Sequence, residues 1–435
     1  MDYNEATEYL FRQLPMFSRI GAAAYKPGLE TSHRLDEFFG HPHRKFKSIH
    51  IAGTNGKGST SHLIAAILQQ HGYKTGLYTS PHLVDFRERI RINGNMIPRE
   101  DVAGFVERFL KSGYEGHPSF FELTMMLAFD WFAKEKVDYA VIEVGMGGRL
   151  DSTNIITPEA CVITNISPDH TQFLGSTLPQ IAKEKAGIIK SGIPVVIGEA
   201  EGEVRKVFED KIAEVGTEGT FAEDKRPLIR AVSNPEGGIE GEADGIGEFH
   251  CPLSGDYQLK NLNTVLAAVK MLTRAGIDLS NEEIRDGIAN VEKNTGLRGR
   301  WTRLCDKPLT ICDTGHNEGG LRYNFCQLER IMEKRPGNQL HIVMGFVADK
   351  AVDEILRLFP KNAKYYLTQA AIPRALAVDK LVDKAAAAGI KGASYPTVYE
   401  AYTAAHNAAH PEDVVFIGGS TFIVADLLKA LDERK

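Results

Sequence analysis

Short apolar runs recur along this chain at the length of a buried strand, in "FKSIHIAG", "TGLYTSPH", "VDYAVIEVGMGG", "EACVITNISPDH" and "IPVVIGEA". Between them, apolar residues fall at helical spacing in "STSHLIAAILQQHG", which ends in a Gly stop, and in "FFELTMMLAFDWFAKEK" and "LPQIAKEKAGIIK". Strands alternating with helices predict βαβ units and a mainly parallel sheet. From about residue 215 to 250 the rhythm fails. "GTEGTFAEDKRP" and "NPEGGIEGEADGIGEFH" are rich in Gly and Glu and read as a hairpin-bearing excursion on the surface. "DYQLKNLNTVLAAVKMLTRAG" resumes as a helix, and a break follows near "NTGLRGRW". A second series then begins with "LTICDTGHN", "QLHIVMGF", "KYYLTQA" and "DVVFIGGS". The expected fold is α/β in two domains. Residues 1–296 form a mainly parallel sheet with flanking helices, and residues 297–435 a Rossmann-like α/β domain.

Composition narrows the class. A length of 435 residues suits two or three domains at roughly 150 residues each. The net charge of −6 is small for this length and argues against a surface that coats nucleic acid. No window approaches the roughly 20 apolar residues of a membrane span, and "MDYNEATEYLFRQL" has no signal-peptide character. Five scattered cysteines without C-x-x-C spacing fit reduced thiols in the cytoplasm.

The chemistry starts at "AGTNGKGST". The spacing departs from the usual G-x-x-x-x-G-K-[ST] loop, because Lys57 is followed by Gly58 before Ser59 and Thr60. A Gly-rich turn between strand and helix still presents backbone N–H groups and a helix N-terminus to an anion. Gly53, Gly56 and Gly58 permit close backbone approach, and Lys57 adds a point charge. The bland alternative is a tight turn with an incidental lysine. The first domain is therefore expected to be of P-loop type, in a variant with a short loop.

Other candidates are individually undecided. Glu143 closes an apolar strand, where an active-site carboxylate projects, yet a capping role reads equally well. Asp169 and His170 end another strand, and a strand-end His is more often structural. Lys183, Lys185 and Lys190 have the look of a solvated helix face.

Taken together the motifs settle on one family. "YKPGL" (25–29), "HIAGTNGKGST", "TSPHLVDFRERIRING", "FFELT", "EVGMGGRLDSTN", "ITNISPDHTQFLG", "IAKEKAGIIK", "LRGRW" and "DTGHN" occur in the order found in folylpolyglutamate synthases. The chain resembles that family, which includes the bifunctional dihydrofolate synthases and belongs to the Mur ligase superfamily. The resemblance runs from about residue 20 to the C-terminus.

It implies an ATP-dependent ligase joining L-glutamate to dihydropteroate, to the glutamate tail of tetrahydrofolate, or to both, through an acyl phosphate. Thr54, Asn55, Gly56, Lys57, Gly58 and Ser59 correspond to the family's triphosphate cradle. Ser80 and Glu143 match ligands of a first Mg²⁺, and His170 a ligand of a second. Lys185 matches a lysine that family members carry as a carbamate, which would make it a carboxylate-like metal ligand. Asn261, Arg300 and Asp313 match nucleotide-contacting positions, with His316 expected against the nucleotide. Ser119, Phe120, Phe121 and Glu122, with Leu150, Asp151 and Ser152, match the pterin-holding segments of bifunctional members. From the residues alone, Phe120 and Phe121 could equally be core. Lys57, Glu143, His170, Lys185 and Arg300 are the expected catalytic set.

One motif departs from the family, which more often spells D-G-A-H-N where this chain has "DTGHN". A cell-wall Mur ligase would carry a further N-terminal domain, for which the loop near residue 53 leaves no room. A nucleotide-sensing ATPase would need neither two metals nor a carbamate. The expected partners are small molecules only, with a monomer as the expected state.

Overall fold

The computed structural model describes residues 1–15, 28–234 and 237–434. Tyr25, Lys26 and Pro27 of the "YKPGL" motif lie outside them. The chain divides into two compact units. The first comprises Met1–Val232, Glu240–Pro252 and Leu259–Leu297, and the second Ser233–Ile239, Leu253–Gln258 and Arg298–Lys435.

The first unit is built on an eight-stranded sheet. Its strands in chain order are β1 (Lys47–Ala52), β2 (Thr75–Tyr78), β3 (Ile90–Ile92), β4 (Asn95–Met96), β5 (Tyr139–Glu143), β6 (Ala160–Ile163), β7 (Val195–Ile197) and β8 (Gly219–Phe221). Their spatial order is β4-β3-β2-β5-β1-β6-β7-β8. The pairs from β2 to β8 are parallel, and β3 and β4 add antiparallel strands at one edge. β1 sits between β5 and β6 and is buried along nearly its whole length, as its unbroken apolar run requires of a parallel strand covered on both faces. Helix Lys57–Gln70 follows β1, and helix Phe120–Lys134 leads into β5.

The Gly- and Glu-rich stretch is more than a surface excursion. Gly219–Phe221 is the edge strand β8, and Leu228–Asn234, Gly238–Ala243 and Gly247–Cys251 form a three-stranded sheet. Ile239, Ala243, Ile246, Phe249 and Cys251 are buried. Ile239 and Ala243, and likewise Phe249 and Cys251, stand at even spacing, so one face of each strand is apolar although the composition is polar.

The second unit carries a six-stranded sheet whose strands are Thr302–Asp306, Leu309–Cys312, Val414–Gly418, Leu340–Met344, Ala363–Leu367 and Gly392–Ser394 in spatial order. The first pair is antiparallel and the rest are parallel. Its core gathers Trp301, Ile311, Phe325, Ile342, Phe346 and Phe416. The two edge strands, Thr302–Asp306 and Gly392–Ser394, are too polar to show in the apolar pattern. No helix of the described residues is long and apolar enough to cross a membrane.

Candidate active site

Within the first unit the candidate residues gather at the C-terminal ends of the parallel strands, where open α/β sheets place ligands. The loop leaves β1 at Gly53 (φ 145°) and enters its helix at Gly56 (φ 84°). A Cβ on Gly53 would stand 1.8 Å from Thr164 Oγ1, and one on Gly56 would stand 2.2 Å from Asn261 Oδ1. Both glycines are thus demanded by backbone and neighbours alike. Gly56 also shows that Asn261 is brought against the loop. No side chain caps the helix that begins at Lys57, which suits an anion.

What holds the loop open was not singled out from the sequence. Asn165, just past β6, pairs with both backbone groups of Asn55: its Oδ1 accepts from Asn55 N (3.0 Å) and its Nδ2 donates to Asn55 O (3.1 Å). Its backbone carbonyl accepts from Thr54 N at 2.9 Å. Thr164 Oγ1 donates to Asn55 O (2.6 Å), and Thr54 Oγ1 donates to Ser167 O (3.1 Å). These residues stand in the quoted "ITNIS", where only the later His170 and Asp169 drew notice. The cue was a run of polar residues at the end of an apolar strand.

Two lysines converge on the loop. Lys57 Nζ donates to the carbonyls of Gly53 and Thr54, each at 3.0 Å. Lys185 Nζ donates to Gly53 O at 2.8 Å. Lys185 is 4% exposed, so the solvated-face reading fails for it, although Lys183 is exposed. Lys190 is half-buried, with its ammonium on the carbonyls of Asn154 and Ile156. Burial, with Lys57 adding repulsion, pulls the Lys185 amine down to about 7. Half of such groups are neutral near that pH, and a neutral amine is the form that reacts with carbon dioxide.

Glu143 ends β5, is 3% exposed, and accepts from Ser80 N at 2.9 Å. The two proposed ligands of one metal therefore adjoin. His170 begins a short helical turn with φ 49°, its Nε2 3.9 Å from Asp169 Oδ2. Among the described residues no group of three His, Cys, Asp or Glu side chains is arranged for a metal. The set named by resemblance holds only two residues of those types, so it draws its oxygens from Ser80, Glu143 and a modified Lys185. Hard oxygen donors of that kind fit Mg²⁺.

The pterin segments are largely occupied by internal bonds. Ser119 and Glu122 form a capping box for helix Phe120–Lys134: Ser119 N donates to Glu122 Oε2 (2.7 Å) and Glu122 N to Ser119 Oγ (3.2 Å). Phe120 is buried and stacks on Phe11, with ring centroids 5.6 Å apart. Phe121 is half-buried against Gly145, where a Cβ would lie 2.4 Å from its ring. Asp151 is buried and caps the turn Ser152–Ile155 through Thr153 N (3.0 Å), and it also accepts from Met146 N (2.8 Å). Burial raises its pKa. Leu150 and Ser152 flank it, half-buried. Of these residues Phe121, Leu150 and Ser152 keep surface for a ligand.

In the second unit, Asp313 follows strand Leu309–Cys312 and is 3% exposed. Its carboxylate takes four donors: Tyr257 Oη (2.6 Å) and Trp301 N (2.8 Å) on Oδ2, and Gly315 N (2.7 Å) and Asn324 Nδ2 (2.9 Å) on Oδ1. Tyr257, Trp301 and Asn324 carried no sequence signal of this role. His316 Nδ1 lies 3.1 Å from Thr314 O, and Arg300 is half-buried with no ion pair among the described residues.

Comparison with known proteins places the chain. Two family models match in tandem, the Mur ligase middle domain over residues 51–269 and the Mur ligase glutamate ligase domain over residues 299–421. Fold and site therefore define a Mur-type ligase, an enzyme that forms carbon–nitrogen bonds. The Bacillus subtilis dihydrofolate synthase/folylpolyglutamate synthase is 30% identical over 93% of this chain and 95% of its own length. A probable bifunctional folylpolyglutamate synthase/dihydropteroate synthase of Haloferax volcanii is 32% identical over 98% of this chain, which spans 50% of that protein. A bifunctional folylpolyglutamate synthase/dihydrofolate synthase solved with Mn, AMPPNP and L-glutamate bound matches with a TM-score of 0.83 at 28% identity, covering 99% of this chain and 98% of its own. The chain belongs to the folylpolyglutamate synthase/dihydrofolate synthase family.

Proposed function

We infer that this protein uses ATP to join L-glutamate to dihydropteroate, to the glutamate tail of a reduced folate, or to both. It acts as a cytoplasmic monomer on small molecules, with neither nucleic acid nor membrane as partner. One observation carries the reading: a Gly-rich anion loop, two lysines sharing its Gly53 carbonyl, and the Glu143–Ser80 pair all stand at the C-terminal ends of one parallel sheet.

In the reaction an oxygen of the acceptor carboxylate attacks the γ-phosphorus of ATP and ADP departs, leaving an acyl phosphate. The amine of glutamate then attacks the acyl carbon, phosphate leaves, and the new amide nitrogen gives up a proton. The loop from Thr54 to Ser59 with Lys57 holds the phosphates, through N–H groups that stay in place as charge moves. Lys57 must exchange the carbonyls of Gly53 and Thr54 for phosphate oxygen when nucleotide arrives. Ser80, Glu143, His170 and Lys185 are the residues that would hold two Mg²⁺, whose charge offsets the meeting of triphosphate and carboxylate. Asn261, Arg300 and His316 serve the nucleotide, and Asp313 serves it by holding the turn before His316 through Gly315 N, with Phe121, Leu150 and Ser152 toward the pterin. One solved relative of this family holds Mn, AMPPNP and L-glutamate, in keeping with this reading.

The test is ADP release by purified protein given ATP and glutamate with dihydropteroate in one arm and tetrahydrofolate in the other. Turnover dependent on glutamate and on either acceptor supports ligation and tells the two acceptors apart. Turnover indifferent to both would make the protein an ATPase of another kind.

A further inference from the structure

Arg89 has drawn no role so far, yet its surroundings are unusual for an arginine. It ends the turn Phe86–Arg89 and is 5% exposed. Its Nε donates to His82 Nδ1 at 2.8 Å, and its guanidinium carbon lies 5.2 Å from the centroid of the Phe120 ring. As the acceptor of that bond, His82 Nδ1 carries no proton, so the imidazole offers a lone pair and not a counter-charge. Among the described residues Arg89 has no ion pair.

The neighbouring carboxylates are engaged elsewhere. Glu88 accepts from the backbone N–H groups of Leu83 (2.7 Å), Val84 (3.1 Å) and Asp85 (3.0 Å). Asp85 is paired with Arg87 at 2.8 Å. Glu143 feels the charge of Arg89 but bonds to Ser80 N. Among the described residues the terminal nitrogens of Arg89 have no hydrogen-bond partner. The Tyr78 hydroxyl, in the field of both Arg89 and Glu143, is sealed and has no hydrogen-bond partner among the described residues. A guanidinium held out of water without a counter-charge is costly unless an anion completes its surroundings.

Position suggests which anion. The backbone carbonyl of Arg89 accepts from Thr79 N at 3.0 Å, one residue before Ser80, and its guanidinium packs on Phe120 of "SFFE". Triphosphate is assigned to a different strand end, at the loop after β1. A guanidinium fork matches a carboxylate bidentately. We propose that Arg89 binds the carboxylate of the folate-type substrate, the group that becomes activated, with Phe120 holding the guanidinium in place. This rests on the function proposed above.

The experiment measures the affinity of the full chain for dihydropteroate and for its carboxamide, in the unaltered protein, Arg89→Gln and Arg89→Lys. The unaltered protein should favour the carboxylate by about tenfold to a hundredfold, the worth of charged hydrogen bonds. Arg89→Gln should bring the two ligands to near equality, and Arg89→Lys should keep part of the preference. The KM for glutamate should stay within about twofold. An undiminished preference in Arg89→Gln overturns the proposal, as does an unaltered protein that binds both ligands equally. A change confined to the glutamate KM overturns it in favour of a site for the incoming amino acid. If Arg89→Gln does not fold, Arg89→Lys decides, and an undiminished preference there overturns the proposal. An unaltered protein that binds neither dihydropteroate nor tetrahydrofolate overturns the proposed function instead.

Discussion

Lys185 Nζ and Lys57 Nζ donate to one and the same acceptor, the carbonyl of Gly53, at 2.8 and 3.0 Å. Two ammonium groups on one oxygen repel, and the buried partner yields. Burial first, then Lys57, holds the Lys185 amine at about 7 against an ordinary 10.5. The arrangement prepares Lys185 for a carbamate, which would turn the repulsion into attraction. Lys185→Ala should therefore lose activity by about a hundredfold or more, the scale of losing a fixed electrostatic contact. Formate or acetate should restore part of it by occupying the vacated carboxylate position. Lys185→Ala at full rate, with the native enzyme also unmoved by bicarbonate depletion, would sink the assignment.

The same shift predicts a pH dependence. An amine whose folded pKa lies below its unfolded value binds fewer protons when folded, so stability rises with pH. The window runs from about 7 to 10.5. Lys185→Met removes that contribution, so its melting temperature should gain less than the native protein's between about pH 7 and pH 10. Both proteins share every other titrating group, and the difference between the curves isolates Lys185. Parallel curves would show a lysine that stays charged in the fold.

Gly53→Ala tests the loop without touching a charge. The new methyl would meet Thr164 Oγ1 at 1.8 Å in a backbone conformation that L residues rarely adopt. Overpacking costs about 1–3 kcal/mol and the backbone strain about 1–2 more. Nucleotide turnover should collapse together with a fall in denaturation midpoint. Lys57→Ala should abolish turnover at nearly unchanged midpoint, since its ammonium is half-buried and its bonds to the carbonyls of Gly53 and Thr54 are local to the loop.

Much of this site was legible because strand ends announce themselves. "SIHIAG", "YAVIEVG" and "ACVITN" are apolar runs that stop at glycine or polar residues, and Gly53, Glu143 and Asn165 stand at those stops. Partners drawn from afar were not legible. Nothing around Asn165 indicates that it meets Asn55, or around Tyr257 that it meets Asp313, because both pairings depend on how the chain crosses over. The density of charge also misled. Lys185 sits in a run of charge, and only the packing of helix Leu178–Ala186 under the loop buries it. The polar ends of "SFFE" close a capping box, a local bond pattern that leaves Phe121 as its part with surface for a ligand.

Asn165 offers a separate prediction about the loop. Its carboxamide meets both backbone groups of Asn55, as a neighbouring strand would. Asn165→Ala takes the acceptor from Asn55 N, at about 1–3 kcal/mol if water does not reach it, while Asn55 O keeps its bond from Thr164 Oγ1. The KM for ATP should rise by about tenfold while the KM for glutamate holds. Equal changes in all substrates would indicate general unfolding rather than a loosened loop.

Asp313 and Tyr257 allow structural and ligand roles to be told apart. Each oxygen of Asp313 already accepts two hydrogen bonds, one of them from Tyr257 Oη at 2.6 Å. Burial, with Asp313 second, holds the Tyr257 hydroxyl protonated well above its ordinary range, so it remains a donor. Tyr257→Phe removes one donor of four and should cost about 1–2 kcal/mol of stability. Asp313→Asn is worse, because its NH₂ faces two donors and leaves both unmet, at about 1–3 kcal/mol each. Denaturant midpoints should therefore fall in the order native, Tyr257→Phe, Asp313→Asn. A nucleotide contact by Asp313 would be a fifth on a carboxylate that is already filled, so the ATP KM of Tyr257→Phe should stay within about threefold of native on that count. If instead both variants keep their midpoints and raise the ATP KM sharply, the four donors are incidental and Asp313 acts on the nucleotide.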